Sequence, residues 1–580
     1  WQGASPVLFA VLLAAEVFGF VRLAAETSLY GEIRPATRRP VLGIAPDADV
    51  VVVVTDEASS EVRAAVLSAR LVHGYRTILV VDRDDRPDVR ELTARLGIER
   101  VAGDADADLG ALVDEAIDRG GSLFTLLVPA DVVVMPDVLE VVAPAFDEPN
   151  VGVVVCRVEN TNAARETDFG GYGDELVRDT LMLDRLDTAG VLPWWAPMAV
   201  VRRSALAEAG GMGDGRRGVT LETGVRLQAA GWRITDVPVV AARRLAPWSD
   251  DRHLHRWARS LHERLALLVD RETPWRDDHT SRLGRRVHAL AGMTVGRAVQ
   301  RLALLVVLLA TLFGVGLPLA APAVVLAAGW GIWTAASVGL RRTLLRPVGF
   351  TPWIVGDLRL LTTDLAVASR ALRRRELPGD LTDPAPGRRA RSVLLVGLQF
   401  GLIAVIGLVG TGIVRPAHGD AVTLTALGAA AWLWVMVLQA RSGLRVGQRR
   451  QGFRADEELD GASDDVVLRA VGLSPFGIDV RTARPLREGA RVRVRLALPQ
   501  VDGSSYEFDT STAVRRCRPA GEGFESYLRF DLLADEVADR VTEYGAVVAG
   551  HAALRDGPAA DVDGRSGVGV ELHAEVVGGG

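Results

Sequence analysis

Two stretches of this sequence run uncharged for about the thickness of a bilayer. Residues 393–414 and 421–439 contain no Asp, Glu, Lys or Arg, and ~20 consecutive apolar residues suffice to cross a hydrocarbon core. Residues 302–317 and 323–340 are similar, and Pro318 and Pro322 between them give the pattern of a helical hairpin. Residues 6–25 are mostly apolar but carry Glu16 and Arg22. That fits either a span with a polar interior contact or an incomplete first helix. Between the hairpins, 353–370 places Leu358, Leu361, Leu365 and Ala368 at helical spacing, as in a helix lying in the membrane interface or a short linker helix.

Basic residues orient these segments. Arg341, Arg342, Arg346, Arg373–Arg375, Arg388, Arg389 and Arg391 lie between the hairpins, and Arg441, Arg445, Arg449 and Arg450 follow the last apolar run. The positive-inside rule then puts the arginine-rich segments and both soluble regions in the cytoplasm, at the inner (cytoplasmic) membrane. The net charge of −6 excludes a generally basic nucleic-acid binder, so no nucleic-acid partner is expected. Cys156 and Cys517 are too few for a disulfide scaffold or a thiolate metal cluster. The chain opens at Trp1, not Met, as expected of a segment of a longer chain.

From about residue 45 to 265, strand and helix patterns alternate. The run at 49–54, apolar after Asp49, reads as a strand buried on both faces. Ser59 and Ser60 are placed to cap a helix ending at Gly74. Strands follow at 77–81, 123–128, 151–157 and 198–202, with a helix starting at Pro87 and closed by Gly97. The alternation predicts a mostly parallel sheet with ligands at the carboxyl ends of its strands. Asp56-Glu57, Asp82 and Asp131 fall at such ends. Paired acids there can hold Mg²⁺ or Mn²⁺ against a diphosphate, although a lone strand-end Asp also serves as a loop acid or helix cap.

Several segments carry a family resemblance: VTDEA (54–58), TILVVDRDDRPDVRELTARLG (77–97), VPADVVVMPDVL (128–139), AVVRRSALAEAGGM (199–212), VTLETGVRLQAAGW (219–232) and HLHRW (253–257). In their order the chain resembles the catalytic subunit of bacterial cellulose synthase, a processive family 2 glycosyltransferase. The resemblance implies an α/β GT-A-type domain that takes a sugar from a UDP-sugar and extends a glycan acceptor through the lipid bilayer, beside other subunits of polysaccharide secretion. It implies nucleotide-sugar or pyrophosphate binding by Asp56, Asp82 and Arg256, metal binding by Asp131, acceptor binding by Trp257 and Glu222 as catalytic base. The match is incomplete. The family's DDG reads Asp82-Arg83-Asp84, its DxD reads Pro129-Ala130-Asp131, its TED reads Thr220-Leu221-Glu222, and its QxxRW has lost the Gln. The gating loop is represented only by LPGDLTDPAP (377–386), and Asp104, Asp106 and Asp108 stand near the missing KAGN-like stretch. These departures leave two readings open, a working transferase and a catalytically dead scaffold. Trp194, Trp195 and Trp248 are read as sugar-stacking or, more commonly for such residues, core or interface tryptophans.

After the transmembrane region (300–440), short strand patterns at 466–471, 478–480, 491–498, 506–514 and 527–532 predict a small β-barrel over 445–548. Arg450 and Arg454 form an RxxxR, and Ser474 and Gly477 match part of (D/N)xSxxG, with Gly472 in place of the acid or amide. This resembles the PilZ domain, which implies cyclic di-GMP binding by Arg450, Arg454, Ser474 and Gly477. RxxxR beside a span is also a pattern that holds anionic lipid. Residues 549–580, rich in Gly, Ala and Asp, are expected to be a disordered tail.

Overall fold

The computed structural model describes residues 5–29, 42–104, 107–160, 183–195, 198–213, 218–245, 250–269, scattered positions between 296 and 310, 364–373, 459–461, 468–499, 504–521, 523–531, 533–545 and 573–576. The strand patterns of the α/β region form an eight-stranded sheet in the order β3-β2-β1-β4-β7-β6-β8-β5. The strands are β1 (Ala48–Val54), β2 (Tyr75–Asp82), β3 (Glu99–Ala102), β4 (Phe124–Pro129), β5 (Val132–Val134), β6 (Val151–Asn160), β7 (Ala199–Arg202) and β8 (Arg233–Arg244). β3, β2, β1 and β4 are parallel. β7 runs antiparallel to both β4 and β6, β6 is parallel to β8, and β5 is antiparallel to β8. The sheet is therefore mixed, where the alternation predicted mostly parallel pairing. β3, β5 and the long β8 were not anticipated: charges break the apolar pattern of β3 and β8, and β5 is a run of only three valines.

The helices of this domain are α2 (Ser59–Ala69), α3 (Pro87–Leu96), α4 (Leu109–Gly120), α5 (Val138–Val142), α6 (Leu183–Thr188), α7 (Arg203–Glu208), α8 (Val219–Ala229) and α9 (Asp250–Val269), preceded by α1 (Pro6–Leu29). They cover both sheet faces. Val50, Val52 and Val54 join a core with Val62 and Val66 of α2 and Val89 and Leu92 of α3. Val51 faces a second core with Val113 and Ile117 of α4 and Leu227 of α8. Two buried faces explain why residues 50–54 of β1 read as an unbroken apolar run. The N-cap of α2 is Ala58, not a serine, and the Glu61 carboxylate accepts its amide at 3.0 Å. α2 ends at Ala69 rather than at Gly74. Pro87 does open α3, and Gly97, at φ +67°, closes it in the left-handed conformation.

Among the described residues no helix is long and apolar enough to cross a membrane. α1 covers the first expected span and carries Glu16, Arg22 and Glu26. The expected spans at 323–340, 393–414 and 421–439, and 302–317 apart from a few helical positions, lie outside the described residues. In the expected interface helix, residues 364–372 are helical. Their Val367, Ala368 and Ala371 pack on Ala258, Leu261 and Leu265 of α9.

The C-terminal region is an antiparallel seven-stranded sheet, β15-β12-β13-β14-β11-β10-β9. Its strands are β9 (Leu459–Gly461), β10 (Leu468–Ser474), β11 (Gly477–Thr482), β12 (Arg491–Pro499), β13 (Ser505–Ala520), β14 (Gly523–Phe530) and β15 (His573–Val576). Helix α10 (Asp535–Glu543) packs on it. Two expectations need correction. Among the described residues the pairing is an open row with β15 and β9 at its ends, not a closed barrel. The expected tail also supplies β15, which pairs with β12, because even a Gly-rich segment gains ladder hydrogen bonds at an open sheet edge.

Candidate active site

Register brings the strand-end acids together. Val54 of β1 is level with Asp82 of β2, and Val53 is level with Pro129 of β4. The segments after β1, β2 and β4 thus leave one edge of the sheet side by side, carrying Asp56, Glu57, Asp82 and Asp131. α9 lies against this edge with Arg256, Arg259 and Glu263 spaced as neighbours along one helix face. Arg256 Nη2 is 2.8 Å from Asp131 Oδ2. Arg259 Nη2 is 3.2 Å from Asp56 Oδ1, and its Nη1 donates to Thr55 Oγ1 at 3.5 Å.

Glu57 sits among these charges. Burial and then the nearby Asp131 carboxylate push its pKa up to about 7, although it still accepts hydrogen bonds from the Thr55 amide (2.7 Å) and hydroxyl (2.9 Å). Glu263, one turn beyond Arg259, is also raised to about 7 by burial, against the opposing pull of Arg259. Its Oε2 is 3.0 Å from where a Cβ on Gly218 would stand. Gly218, at φ +81°, is the N-cap of α8, so α9 reaches from the end of β4 to the start of α8.

Asp82, 0% exposed, accepts from the Arg86 amide at 2.9 Å and from Arg100 Nη1 at 2.8 Å. Its carboxyl is nonetheless raised, because desolvation outweighs those bonds. Its Oδ1 has no hydrogen-bond partner among the described residues, and neither does Arg256 Nη1. Buried polar atoms of this kind are costly in the absence of a ligand or water. Arg86 also donates to the Glu57 carbonyl at 2.6 Å, locking the first loop to the second.

Of the sequence-derived candidates, Asp56, Asp131 and Arg256 are joined through α9, and Asp82 stands beside them. Glu222 occupies the first turn of α8, 7% exposed, with its Cβ packed against Gly213. Trp257 is placed otherwise than expected for acceptor contact. It is 5% exposed, and its indole N–H donates to Asp364 Oδ1 at 2.7 Å, inside the packing of α9 on 364–372. Trp194 is fully buried in the core, Trp195 lies 6.0 Å from the Arg264 guanidinium, and Trp248 is outside the described residues. Asp108 caps α4 through the Gly110 amide. Arg450 and Arg454 are outside the described residues. Ser474 and Gly477 form the β10–β11 hairpin turn, with the Ser474 hydroxyl donating to the Gly477 carbonyl at 3.1 Å. A Cβ on Gly477 would stand 2.3 Å from the Leu528 carbonyl oxygen, so both residues have a local structural role. Glu57 was anticipated only as a strand-end acid, and Arg86, Arg100, Arg259 and Glu263 were not anticipated. Helical spacing from Arg256 could have found Arg259 and Glu263, whereas Arg100 approaches Asp82 only through sheet pairing.

Among the described residues no group of three or more His, Cys, Asp or Glu could hold a metal ion. Asp131, the acid expected to bind Mg²⁺ or Mn²⁺, is engaged by Arg256 at 2.8 Å and would offer a metal a single carboxylate.

Residues 46–266 match the family model described as glycosyltransferase like family 2. These residues form a family 2 glycosyltransferase-like domain. No curated protein matches the chain. Among solved structures it is similar to the mannosyltransferase PcManGT from Pyrobaculum calidifontis in complex with GDP-Man and Mn²⁺, at 15% identity over 64% of this chain and 100% of that one, TM-score 0.43. It is similar to glucosyl-3-phosphoglycerate synthase from Mycobacterium tuberculosis in complex with phosphoglyceric acid, at 18% identity over 38% and 79%, TM-score 0.27. It is also similar to TarS 1-349 from S. aureus, at 13% identity over 38% and 68%, TM-score 0.25. At such scores the likenesses carry no argument for a shared activity.

Proposed function

We propose that the glycosyltransferase-like domain binds a nucleoside diphosphate sugar, a UDP-sugar in the first instance, and transfers the sugar to a glycan hydroxyl. The observation that carries this reading is the pair of uncommitted buried atoms, Asp82 Oδ1 and Arg256 Nη1, at one strand-end edge with Asp56, Glu57 and Asp131. An acceptor beside β2 suits a nucleobase N–H, and a guanidinium donor suits a phosphate oxygen. In the reaction the acceptor oxygen attacks the anomeric carbon and its proton passes to Glu222. The bond from that carbon to the diphosphate breaks, and its electron pair leaves on the diphosphate oxygen facing Arg256 and Arg259. Mg²⁺ or Mn²⁺ held by Asp131 would supply further neutralisation of that charge.

The finer reading follows the sequence resemblance: a cellulose-synthase-like, membrane-embedded polysaccharide synthase at the inner membrane, with a PilZ-like C-terminal sheet under cyclic di-GMP control. Its support is the uncharged runs, the arginine distribution and the RxxxR with Ser474 and Gly477. A second reading, a catalytically dead receptor or scaffold for cyclic di-GMP, is favoured by one feature. Asp131 and Asp82 are already occupied by Arg256 and Arg100.

Isothermal titration of the detergent-purified chain separates the two. UDP binding that requires Mn²⁺, is lost in Asp131→Ala and is weakened at least about ten-fold in Arg256→Ala, as for a charge-assisted contact, is the expected result. No UDP binding together with clear cyclic di-GMP binding would establish the receptor.

A further inference from the structure

Helix α10 has two working faces. Val537, Val541 and Tyr544 pack into the core of the C-terminal sheet, the last two almost completely buried. On the other side Asp535, Asp539 and Glu543 recur at every fourth residue, an acidic stripe along one face. Arginines of the glycosyltransferase-like domain meet that stripe. Arg63 of α2 donates from Nε to Asp539 Oδ1 at 2.6 Å and from Nη2 to Asp535 Oδ1 at 2.9 Å. Arg95, in the last turn of α3, pairs with the same Asp539 carboxylate. Arg70, at the C-cap of α2, lies in the field of Glu543.

Asp539 is 7% exposed and shared by guanidinium groups from two different helices. It therefore differs from a solvated surface pair, whose contribution is small. Breaking a buried, bonded pair leaves an uncompensated charge behind. α2 and α3 are the helices that follow the Asp56-Glu57 and Asp82 loops. At their cleft ends they are joined by Arg86 Nη1 to the Glu57 carbonyl and by the Ser59 hydroxyl to Asp88 Oδ2 at 2.6 Å. Arg63 stands one helical turn beyond Ser59, so a displaced α10 releases a group one turn from the cleft.

We propose that α10 is an interdomain clamp in which Asp539 ties α2 to α3, so that the C-terminal sheet unit sets the spacing of the two loops proposed to hold the nucleotide. Asp539 acts as a positioning residue, and any ligand that shifts the C-terminal sheet would reach the cleft through this contact. The clamp goes beyond the proposed function and rests on it only for the nucleotide readout.

The test is amide hydrogen exchange of the 580-residue chain carrying Asp539→Asn, with Asp539→Glu as the charge-preserving control. Faster exchange is expected in α10, α2 and the loops at 55–60 and 83–88, by roughly 5- to 150-fold, the span of an ordinary coupling between sites. The amides of β1 and β4 should be unchanged, and Asp539→Glu should restore most of the protection. UDP affinity in Mn²⁺ should fall alongside. Unchanged loop exchange in Asp539→Asn, whether or not α10 itself loosens, would overturn the clamp. Should Asp539→Asn fail to fold, the milder pair Arg63→Lys and Arg95→Lys carries the same exchange test. A wild-type chain that binds no nucleotide would retire the proposed function while leaving the exchange result to judge the clamp.

Discussion

At the scale of single residues, the cleft is a set of charges held by one another. Arg256 neutralises Asp131, Arg259 neutralises Asp56, and Glu57 and Glu263 are left with carboxyls raised to about 7. For a glutamate whose folded pKa lies above its unfolded value, the folded state holds the extra proton between about pH 4.5 and 7. Stability from this source is complete below 4.5 and lost as pH rises through about 7. Glu263→Gln keeps the shape and removes the titration. It should therefore leave stability unchanged near pH 4.5 and raise it at pH 8 by about 1 kcal/mol, after discount for partial solvent contact. Urea denaturation at the two pH values checks this, and an equal effect at both would exclude burial of the carboxylate as the cause.

At the scale of elements, glycines mark where backbone geometry admits no side chain, for two different reasons. Gly97 closes α3 at φ +67° with open space around it, so Gly97→Ala carries only the left-handed penalty of about 1–2 kcal/mol. A Cβ on Gly110 would stand 2.1 Å from the Gly213 carbonyl oxygen. Gly110→Ala must therefore push α4 away from the 212–213 turn beside Glu222, with an overpacking cost of about 1–3 kcal/mol. Chemical denaturation should find both variants less stable, and only Gly110→Ala should alter a spectroscopic or exchange signal around 212–222. The helix-stop signal at Gly97 was legible in the sequence because it is local. The contact at Gly110 was not, since its partner is about a hundred positions away.

At the scale of the molecule, two units keep separate cores, and α10 belongs to one core while bonding to the other unit. Tyr544, 1% exposed, lies among Leu528, Val541 and the other apolar side chains of the C-terminal core. Tyr544→Ala should cost that unit about 3–5 kcal/mol, as aromatic truncations in cores do. Calorimetry should show the loss in the transition that carries the β-sheet signal. The same variant should expose α2 and α3 to faster exchange if the two units are coupled through α10.

Local patterns in the sequence were enough to locate β1, β2, β4, β6 and β7, the Pro87 start and Gly97 stop of α3, and the strand-end acids Asp56, Asp82 and Asp131. Each depends on periodicity or on chemistry within a few residues, which a linear string displays directly. Tertiary structure alone decided the mixed pairing of the sheet, the inward packing of Trp257, the occupation of Asp82 by Arg100 and the bridge from Asp539 to two helices. Those outcomes depend on which segments lie side by side after folding. Burial then sets their electrostatics, because a carboxylate enclosed beside another carboxylate titrates far from its value in water.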